Sequence, residues 1–582
     1  MKELLKLKKY VSRHRWKILG GLTALIAVDI LQLYIPQVLR LAVDALAAGR
    51  ATKGLILVCG GWVVAIALGM GVGRFFWRFL IIGSARRIEQ ELRQDFYTHL
   101  STLDFSFFDE HKTGDLMAHA TNDINAVRMA LGFGLVILTD IVVLGAASLY
   151  FMFSISPRLS LYALIPLPFL SLVVAFFGQL IRRRFESVQA SFSRLTEKVR
   201  ENVSGMRVVK HFVQEESEQR AFEGYSLDYY ARNMKLVKIW GAFFPIIMFI
   251  ASLSQGIVFL VGGRMAIFGV VTLGEFVAFS AYLGILIWPM IAIGQAINVF
   301  QRGAASQGRL NRIFETRPEI SDVPGSLDPG MVKGGISFEA VTFFHNGKTR
   351  PAVSNLSFEI SPRQLIGITG SIGSGKSTIA HLLLRLYQPQ SGVIRLDGRD
   401  IAGYTLRSLR RQAAFVPQDS FLFSDTIAEN VCFGQPELID TPEMERAARI
   451  AAVHDEIMAF PRGYRTVVGE RGVTLSGGQK QRMALARALL MDRPILVMDD
   501  ALAAVDADTE RQILNRLADE ISGRTAIVIS HRIFAIQDAD LIMVMDGGQV
   551  AEQGTHQELL SLQGKYYEMY RLQQLERELA AQ

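Results

Sequence analysis

The residues Gly370-Ser371-Ile372-Gly373-Ser374-Gly375-Lys376-Ser377 decide the fold of the second half of the chain. The apolar run QLIGIT precedes them and TIAHLLLRLY follows them, which predicts a strand, a glycine-rich loop and a helix in that order. In this context G-x-x-x-x-G-K-[ST] forms a phosphate-binding loop, because the glycines let backbone N–H groups close around phosphates. Lys376 would bridge the β- and γ-phosphates, and the Ser377 hydroxyl would hold Mg²⁺.

A second apolar run, Ile495-Leu496-Val497-Met498-Asp499, ends in a carboxylate. Taken alone, it fits a buried strand with a capping aspartate equally well. Paired with the phosphate loop, Asp499 becomes the acid on the Mg²⁺ side of the site. After Arg302, short β-branched runs alternate with helical stretches, which predicts an α/β domain with a largely parallel sheet.

The first half of the chain has a different character. Of the 582 residues, 50% are apolar and only 20% are charged, which excludes a disordered chain and is too apolar for a soluble globular one. Six runs can each cross about 30 Å of hydrocarbon as a helix. The predicted spans are 17–39, 55–75, 133–154, 159–181, 242–263 and 275–298. The Pro-, Gly- and Asp-rich segment 315–335 predicts a linker.

Charge sets the expected orientation. The net charge of the chain is +7, and within its first half the cations are concentrated in the N-terminal segment and in the two long connections, 76–132 and 182–241. The positive-inside rule therefore places these segments and everything after the sixth span in the cytoplasm. Both long connections show helical spacing, so the second span is expected to continue as a helix of ~50 residues, ~75 Å long. The turns of these two hairpins are expected near 108–114 and 204–213.

Few polar groups lie within the spans. Asp29 and Asp140 are intramembrane carboxylates, for which a translocation surface and a local packing network are both open. The two cysteines, Cys59 and Cys432, are too few and too far apart for a disulfide framework or a cysteine-rich metal site.

Between the two phosphate-site motifs lies Leu475-Ser476-Gly477-Gly478-Gln479, followed by KQRMALARALL. On these motifs the sequence resembles the ATP-binding cassette (ABC) family over almost its whole length, in the arrangement of a multidrug-type exporter half-transporter. The resemblance implies an all-α transmembrane domain of six helices with long cytoplasmic extensions, fused to an α/β P-loop ATP-binding cassette domain. We expect a transmembrane domain over 1–314, a linker over 315–335 and a nucleotide-binding domain over 336–582.

The resemblance also implies roles for single residues. Gln418 in FVPQD resembles the glutamine that touches Mg²⁺ and the attacking water, and Asp506 resembles an aspartate at the dimer interface. His531 in VISHR resembles the switch histidine near the γ-phosphate, although a histidine at a strand end is more often an ordinary one. The expected nucleotide-binding residues are Gly370, Ser371, Gly373, Ser374, Gly375, Lys376, Ser377, Thr378, Phe344, His345, Ser476, Gly477, Gly478, Gln479 and Asp506. The expected Mg²⁺ ligands are Ser377, Gln418 and Asp499, and the expected catalytic residues are Asp500, His531 and Gln418.

The sequence departs from the family pattern at three positions. Asp500 follows Asp499 where the family usually has a catalytic glutamate. The aromatic residue that stacks on adenine falls at His345, next to Phe344, and either ring can stack. Val467 in TVVGERG stands where the family often has a glutamate facing the hairpin turns.

Family cassettes work as head-to-tail dimers, so this chain needs a second half. An aspartate at position 500 holds its carboxylate ~1.5 Å back from the attacking water, and misplacement of about 1 Å can cost roughly 10²-fold in rate. The site on this chain's loop is therefore expected to hydrolyse ATP slowly. The resulting asymmetry resembles that of heterodimeric exporters of the family, with one retentive and one active site, so the resemblance implies a heterodimer; the alternative is a homodimer with two slow sites.

The expected function is an ATP-driven exporter subunit that moves hydrophobic or amphipathic compounds, such as drugs, lipids or peptides. A homodimeric exporter or lipid flippase is the alternative, and an ATP-gated, channel-like regulator is the alternative of another class. The expected cofactors are ATP and Mg²⁺, and the expected partners are a second half-transporter, membrane lipids and cargo, with no nucleic acid. We expect a multi-pass protein of a bacterial-type inner membrane with its N-terminus and ATP-binding domain in the cytoplasm.

Overall fold

A computed structural model describes residues 2–328, 330–469 and 475–580. Its first half consists of long helices joined by short turns. After a 3₁₀ turn at Lys2–Leu7, the helices are α1 (Lys8–Arg13), α2 (Arg15–Ala47), α3 (Lys53–Leu100), α4 (Phe105–Glu110), α5 (Thr113–Ile155), α6 (Pro157–Ser204), α7 (Met206–His211), α8 (Glu215–Ile267) and α9 (Leu273–Glu315). Within the described part of the chain, six of these are long and apolar enough to cross a membrane: α2, α3, α5, α6, α8 and α9.

These six helices contain the six predicted spans and extend beyond them. The predicted helix of ~50 residues is confirmed, because α3 runs for 48 residues. Helix α3 contains a π-helical turn at Arg78–Ile82, and α5 and α8 contain similar turns. The predicted hairpin turns are the short helices α4 and α7.

The helices pack around a core of large apolar side chains, with a few polar contacts between them. Tyr282 on α9 is fully buried, and its hydroxyl donates to the Leu33 carbonyl at 2.8 Å and accepts from Gln37 at 2.9 Å. The ring of Phe151 stacks on that of Tyr282 with centroids 5.0 Å apart. Asp29 on α2 is 3% exposed, and its Oδ2 has no hydrogen-bond partner among the described residues.

The second half is an α/β domain with two sheets. Its strands are β1 (Ile336–Phe343), β2 (Val353–Ile360), β3 (Leu365–Gly370), β4 (Ser391–Leu396), β5 (Arg399–Asp400), β6 (Ala413–Val416), β7 (Ile495–Asp499), β8 (Thr525–Ile529), β9 (Leu541–Asp546) and β10 (Gln549–Gly554). The helices that follow α9 are α10 (Lys376–Leu383), α11 (Leu406–Arg411), α12 (Ile427–Val431), α13 (Pro442–Ile450), α14 (His454–Ala459), α15 (Gly477–Leu490), α16 (Ala507–Ile521), α17 (His556–Ser561) and α18 (Lys565–Ala580). Short 3₁₀ turns lie at Ile401–Gly403, Pro436–Leu438, Gly463–Arg465 and Ile533–Ala535.

The larger sheet positions the site. Its six described strands have the order β10-β9-β3-β8-β7-β6, parallel except for β10. β7 and β8 are buried along their whole length, as expected for parallel strands covered on both faces. The smaller sheet has the antiparallel order β2-β1-β4-β5. The carboxyl ends of β3, β7 and β8 therefore meet at one edge, where ligands of parallel sheets bind.

By their contacts, the residues form two compact units: Met1–Ser101 with Thr113–Thr316, and Thr102–Lys112 with Arg317–Gln582. The predicted divisions at 314 and 336 stay a prediction. The structure adds that α4 packs within the second unit, where the Tyr387 hydroxyl donates to Asp109 Oδ2 at 2.6 Å and the Asn346 side-chain amide donates to Glu110 at 3.1 Å. The predicted fold class, a six-helix transmembrane domain fused to an α/β cassette, is confirmed.

Candidate nucleotide-binding site

The loop 371–375 joins the end of β3 to the start of α10, as the sequence predicts. Gly375 is required there: its φ is +95°, and a Cβ atom would lie 2.2 Å from the Ala352 carbonyl oxygen. The Lys376 ammonium folds back onto the loop, donating to the carbonyls of Gly370 at 3.0 Å and Ser371 at 2.8 Å. Burial lowers the pKa of Lys376, so an incoming anion would meet a poorly solvated charge.

Two oxygen donors converge beside this loop. The Ser377 hydroxyl, in the first turn of α10, donates to Asp499 Oδ1 at 3.0 Å. Asp499 ends β7 and is 3% exposed, and burial raises the pKa of its carboxyl. Hydroxyl and carboxylate oxygens are the ligands that Mg²⁺ prefers, and it takes few protein ligands when phosphates supply the rest. Among the described residues, no group of three or more His, Cys, Asp or Glu could hold a metal.

Asp500 lies next to this pair and is engaged by a histidine. Its φ of +47° is a left-handed conformation that aspartate tolerates better than most residues. Both carboxylate oxygens lie close to His531 Nδ1, at 2.8 and 2.9 Å, and the Asp500 N–H donates to the Ile529 carbonyl at 2.8 Å. Because β7 and β8 are neighbours in the sheet, their ends place Asp500 and His531 side by side.

Gln418 follows β6, the edge strand that pairs with β7. Val416 is aligned with Met498, so Gln418 emerges at the same sheet edge as Asp499. Its side chain is exposed. Such a position leaves the amide free to reach a ligand at the carboxyl edge of the sheet.

The residues Ser476–Gln479 form a helix cap. The Ser476 hydroxyl accepts from the Gln479 N–H at 3.2 Å, and the Gln479 side chain accepts from the Ser476 N–H at 2.9 Å, which is a complete capping box. Gln479 also donates to Glu456 at 2.8 Å. The start of a 14-residue helix attracts anions, because its first N–H groups lack partners within the helix. The five residues before Leu475, which include the last part of TVVGERG, lie outside the described residues.

Asp506 caps α16 in the same way, since its carboxylate accepts from the Thr509 N–H at 2.9 Å. That bond holds the pKa of Asp506 below its usual value. Among the described residues, no hydrogen bond joins Asp506 or the segment 476–479 to the phosphate loop. Apart from the two predicted adenine-stacking residues, the predicted site residues thus fall into two sets within one cassette: the sheet-edge set around Lys376, and the helix-cap set.

The two predicted adenine-stacking residues differ in their surroundings. The His345 ring packs edge-on against Phe343 at 4.9 Å and Tyr387 at 5.4 Å. Phe344 is fixed through its backbone, which exchanges hydrogen bonds of 2.8 and 3.1 Å with the Gln390 side chain. Tyr387 and Gln390 are absent from the sequence-based set, although both lie in LYQPQSG, directly after the phosphate-loop helix and within reach of a strand end.

The comparisons with known proteins agree with this geometry. Residues 18–290 match the family described as "ABC transporter transmembrane region", and residues 353–503 match "ABC transporter". The chain belongs to the ABC transporter family. It is 40% identical over 559 residues to the "Probable multidrug resistance ABC transporter ATP-binding/permease protein YheI" of Bacillus subtilis, covering 95% of each chain. It is 38% identical over 577 residues to the "Multidrug resistance-like ATP-binding protein MdlA" of Escherichia coli, covering 99% of this chain and 97% of that one.

The fold is also similar to a solved structure, that of a bacterial Atm1-family ABC exporter with ATP bound. The TM-score is 0.78 at 29% sequence identity, and the match covers 96% of this chain and 99% of the other. This ABC transporter chain is therefore a multi-pass integral membrane protein whose cassette couples ATP hydrolysis to transport. The resemblance noted from the motifs is confirmed.

Proposed function

We propose that this ABC transporter chain is one subunit of a heterodimeric exporter of hydrophobic or amphipathic compounds, and that its own phosphate loop builds the slower of two ATP sites. The proposal rests on one observation: the residue after Asp499 is an aspartate, Asp500, whose carboxylate is hydrogen-bonded to His531 Nδ1 at 2.8 Å.

The slow hydrolysis of ATP at this site follows from the length of the Asp500 side chain. An aspartate carboxylate stops one carbon–carbon bond, ~1.5 Å, short of a glutamate carboxylate. A displacement near 1 Å can cost roughly 10²-fold in rate, because a general base must lie within hydrogen-bond distance of the water it activates. The bond to His531 adds to the effect, since it directs the carboxylate toward the imidazole. Nucleotide binding does not need this carboxylate, so the site would hold ATP and turn it over slowly.

A second chain is needed to complete both sites. In this family each nucleotide lies between the phosphate loop of one cassette and the capped helix of the other. Here the helix cap at Ser476 is intact, so it can serve the site on a partner's loop, while the partner's cap would close the loop at Lys376. The tip of the second hairpin also exposes apolar surface that a partner chain could cover. Val208 and Phe212 there are 59% and 65% exposed, which is high for large apolar side chains.

The sequence of events follows from these contacts. When bound, Mg²⁺–ATP supplies the transferable phosphoryl group and the neutralising charge. Lys376, which donates to the carbonyls of Gly370 and Ser371, would instead donate to phosphate oxygens, and Ser377 and Asp499 would hold the cation. Closure of two cassettes would shift the membrane helices from inward-facing to outward-facing, and hydrolysis at the faster site would reset them.

The nature of the cargo is inferred from the spans and the relatives. The membrane helices carry many apolar and aromatic residues and few charges, which suits a hydrophobic or amphipathic compound. Both named relatives carry multidrug resistance in their descriptions. The long basic connections favour a cytoplasmic cassette in a bacterial-type inner membrane, so the proposed direction is outward.

Transport into inverted membrane vesicles tests this function. A lipophilic fluorescent dye should accumulate in vesicles that contain this chain and its partner, with ATP present and without vanadate. The matched control is Lys376→Ala in the same pair, which removes the ammonium that contacts phosphate and should weaken ATP binding at this site about 10- to 100-fold. ATP-dependent ion conductance without dye accumulation would contradict an exporter and favour an ATP-gated channel.

A further inference from the structure

The loop 530–532, which follows β8, carries His531 at the edge of the nucleotide site. The His531 side chain is 52% exposed, and among the described residues its ring hydrogen-bonds only to Asp500, through Nδ1. The second ring nitrogen, Nε2, is therefore available to a ligand. Because few neighbouring atoms hold the ring, its position depends on the main chain that carries it.

One side chain of α18 holds this main chain on both sides of Arg532. The Gln573 side-chain amide donates to the His531 carbonyl at 2.7 Å, and its Oε1 accepts from the Ile533 N–H at 2.9 Å. A primary amide carries a donor and an acceptor side by side, so it can bridge a carbonyl and an N–H that are two residues apart. A substitution that removes the amide therefore removes both bonds at once.

Helix α18 is itself fixed to the cassette near Gln573. Tyr566 in its first turn is fully buried, its hydroxyl lies 2.7 Å from His556 Nδ1, and its N–H donates to Glu552 at 3.0 Å. Met569, one turn later, packs against the core of the domain. Tyr566 and Gln573 are seven residues apart and so lie on the same face of the helix. The amide that holds the histidine loop thus extends from an anchored element.

The side chain of Arg532 contacts a different segment from the one that His531 contacts. Its guanidinium donates to the carbonyls of Ala503 and Val505, both at 3.1 Å, and pairs with Glu510 on α16. The two bonds of Gln573 flank Arg532, so they hold the backbone from which both side chains extend. The position of the imidazole is therefore fixed by α18 through the main chain and by Arg532 through the segment 503–505.

We propose that Gln573 is a positioning residue for ATP binding: by holding the main chain on both sides of Arg532, it places the His531 imidazole where it contacts the γ-phosphate. The proposal rests on the nucleotide site proposed above and on the expected place of His531 near the γ-phosphate. ADP lacks this phosphate, so loss of the Gln573 amide weakens the binding of ATP and leaves that of ADP unchanged. A residue that only docked α18 onto the cassette would affect both nucleotides alike, or neither.

The affinities of the purified full-length chain for ADP and for adenylyl imidodiphosphate, a non-hydrolysable ATP analogue, test the proposal, both measured with Mg²⁺. Gln573→Met keeps the length of the side chain and removes both hydrogen bonds. Affinity for the ATP analogue should fall about threefold to tenfold, and affinity for ADP should not change. His531→Ala should cause at least the same loss. Adding Gln573→Met to His531→Ala should cause no further loss, because two residues that act through one contact are not additive.

The matched control is Gln574→Met, the same change at the next position, whose side chain is exposed, and it should alter neither affinity. If Gln573→Met lowers the Tm, Gln573→Glu replaces it, because a carboxylate keeps the acceptor for the Ile533 N–H and loses only the donor to the His531 carbonyl. It should cause the same selective loss.

Equal losses of affinity for the ATP analogue and for ADP would overturn the proposal. So would unchanged affinity for the analogue in Gln573→Met when His531→Ala lowers it. If His531→Ala leaves this affinity unchanged, the expected contact of the histidine with the γ-phosphate is wrong, and the proposal fails with it. Neither dye nor partner chain nor hydrolysis enters this measurement, so its failure is separate from a failure of the transport assay.

Discussion

The substitution Asp500→Glu should convert the slow site into a fast one. It lengthens the side chain by one methylene and returns the carboxylate ~1.5 Å toward the position of the attacking water. If a displacement near 1 Å costs roughly 10²-fold, the barrier falls by about 2.7 kcal/mol. The substitution also has a cost, because Asp500 has a φ of +47° and glutamate tolerates this region less well. That cost of about 1 kcal/mol lowers the stability of the folded state and leaves most of the gain in rate.

The assay is a single-turnover measurement on the assembled pair. Labelled ATP is loaded at a limiting amount, free nucleotide is removed, and the conversion of retained ATP to ADP is followed over time. We predict that the wild-type pair retains one ATP for a long period, and that Asp500→Glu shortens its lifetime by one to two orders of magnitude. Asp519→Glu, an equal lengthening at an exposed position on α16, is the control and should change nothing. An unchanged lifetime of retained ATP in Asp500→Glu would refute the argument from carboxylate reach.

Three further predictions follow from single contacts. Burial raises the pKa of Asp499 above its ordinary 3.8, so the stability associated with its protonated form is present at low pH and is lost as the pH rises through the raised pKa. Asp499→Asn should therefore raise the Tm of the nucleotide-free protein more at about pH 8 than at about pH 4, and it should weaken Mg²⁺-dependent ATP binding. An equal Tm shift at both pH values would contradict this prediction. Gly274→Ala should lower the Tm, because a Cβ atom there would lie 2.3 Å from the Arg40 carbonyl oxygen, and the folded state should lose about 1–3 kcal/mol of stability. Gly284→Ala on the same helix, where no atom lies within 4 Å of the added Cβ, should leave the Tm unchanged. Phe212→Ser removes a 65% exposed ring from the second hairpin, so the isolated chain should keep its Tm while dye transport by the pair falls; an intact transport rate would show that the ring meets no partner.

Much of the fold was predictable because its signals are local. Spans such as 17–39 and 55–75 need only a run of apolar residues, and a glycine-rich loop between a strand and a helix is readable from spacing alone. The strand ending at Asp499 is likewise marked by composition. These features depend on residues that are close in sequence, so a single chain suffices to find them.

Other features depend on residues far apart in sequence. Nothing in the sequence indicates that His531 Nδ1 lies 2.8 Å from Asp500, because that distance depends on the pairing of β7 with β8. The placement of α4 within the second unit, through Asp109 and Tyr387, depends on a contact across 278 residues.

The steady-state ATPase rate of this chain, purified alone and then with its partner, tests the central claim most directly. We predict a rate near background for the isolated chain, a robust rate for the pair, and only a partial loss of that rate when Lys376→Ala is introduced into this chain. Robust hydrolysis by the chain alone, abolished by Lys376→Ala, would contradict the account and establish a homodimer with two competent sites.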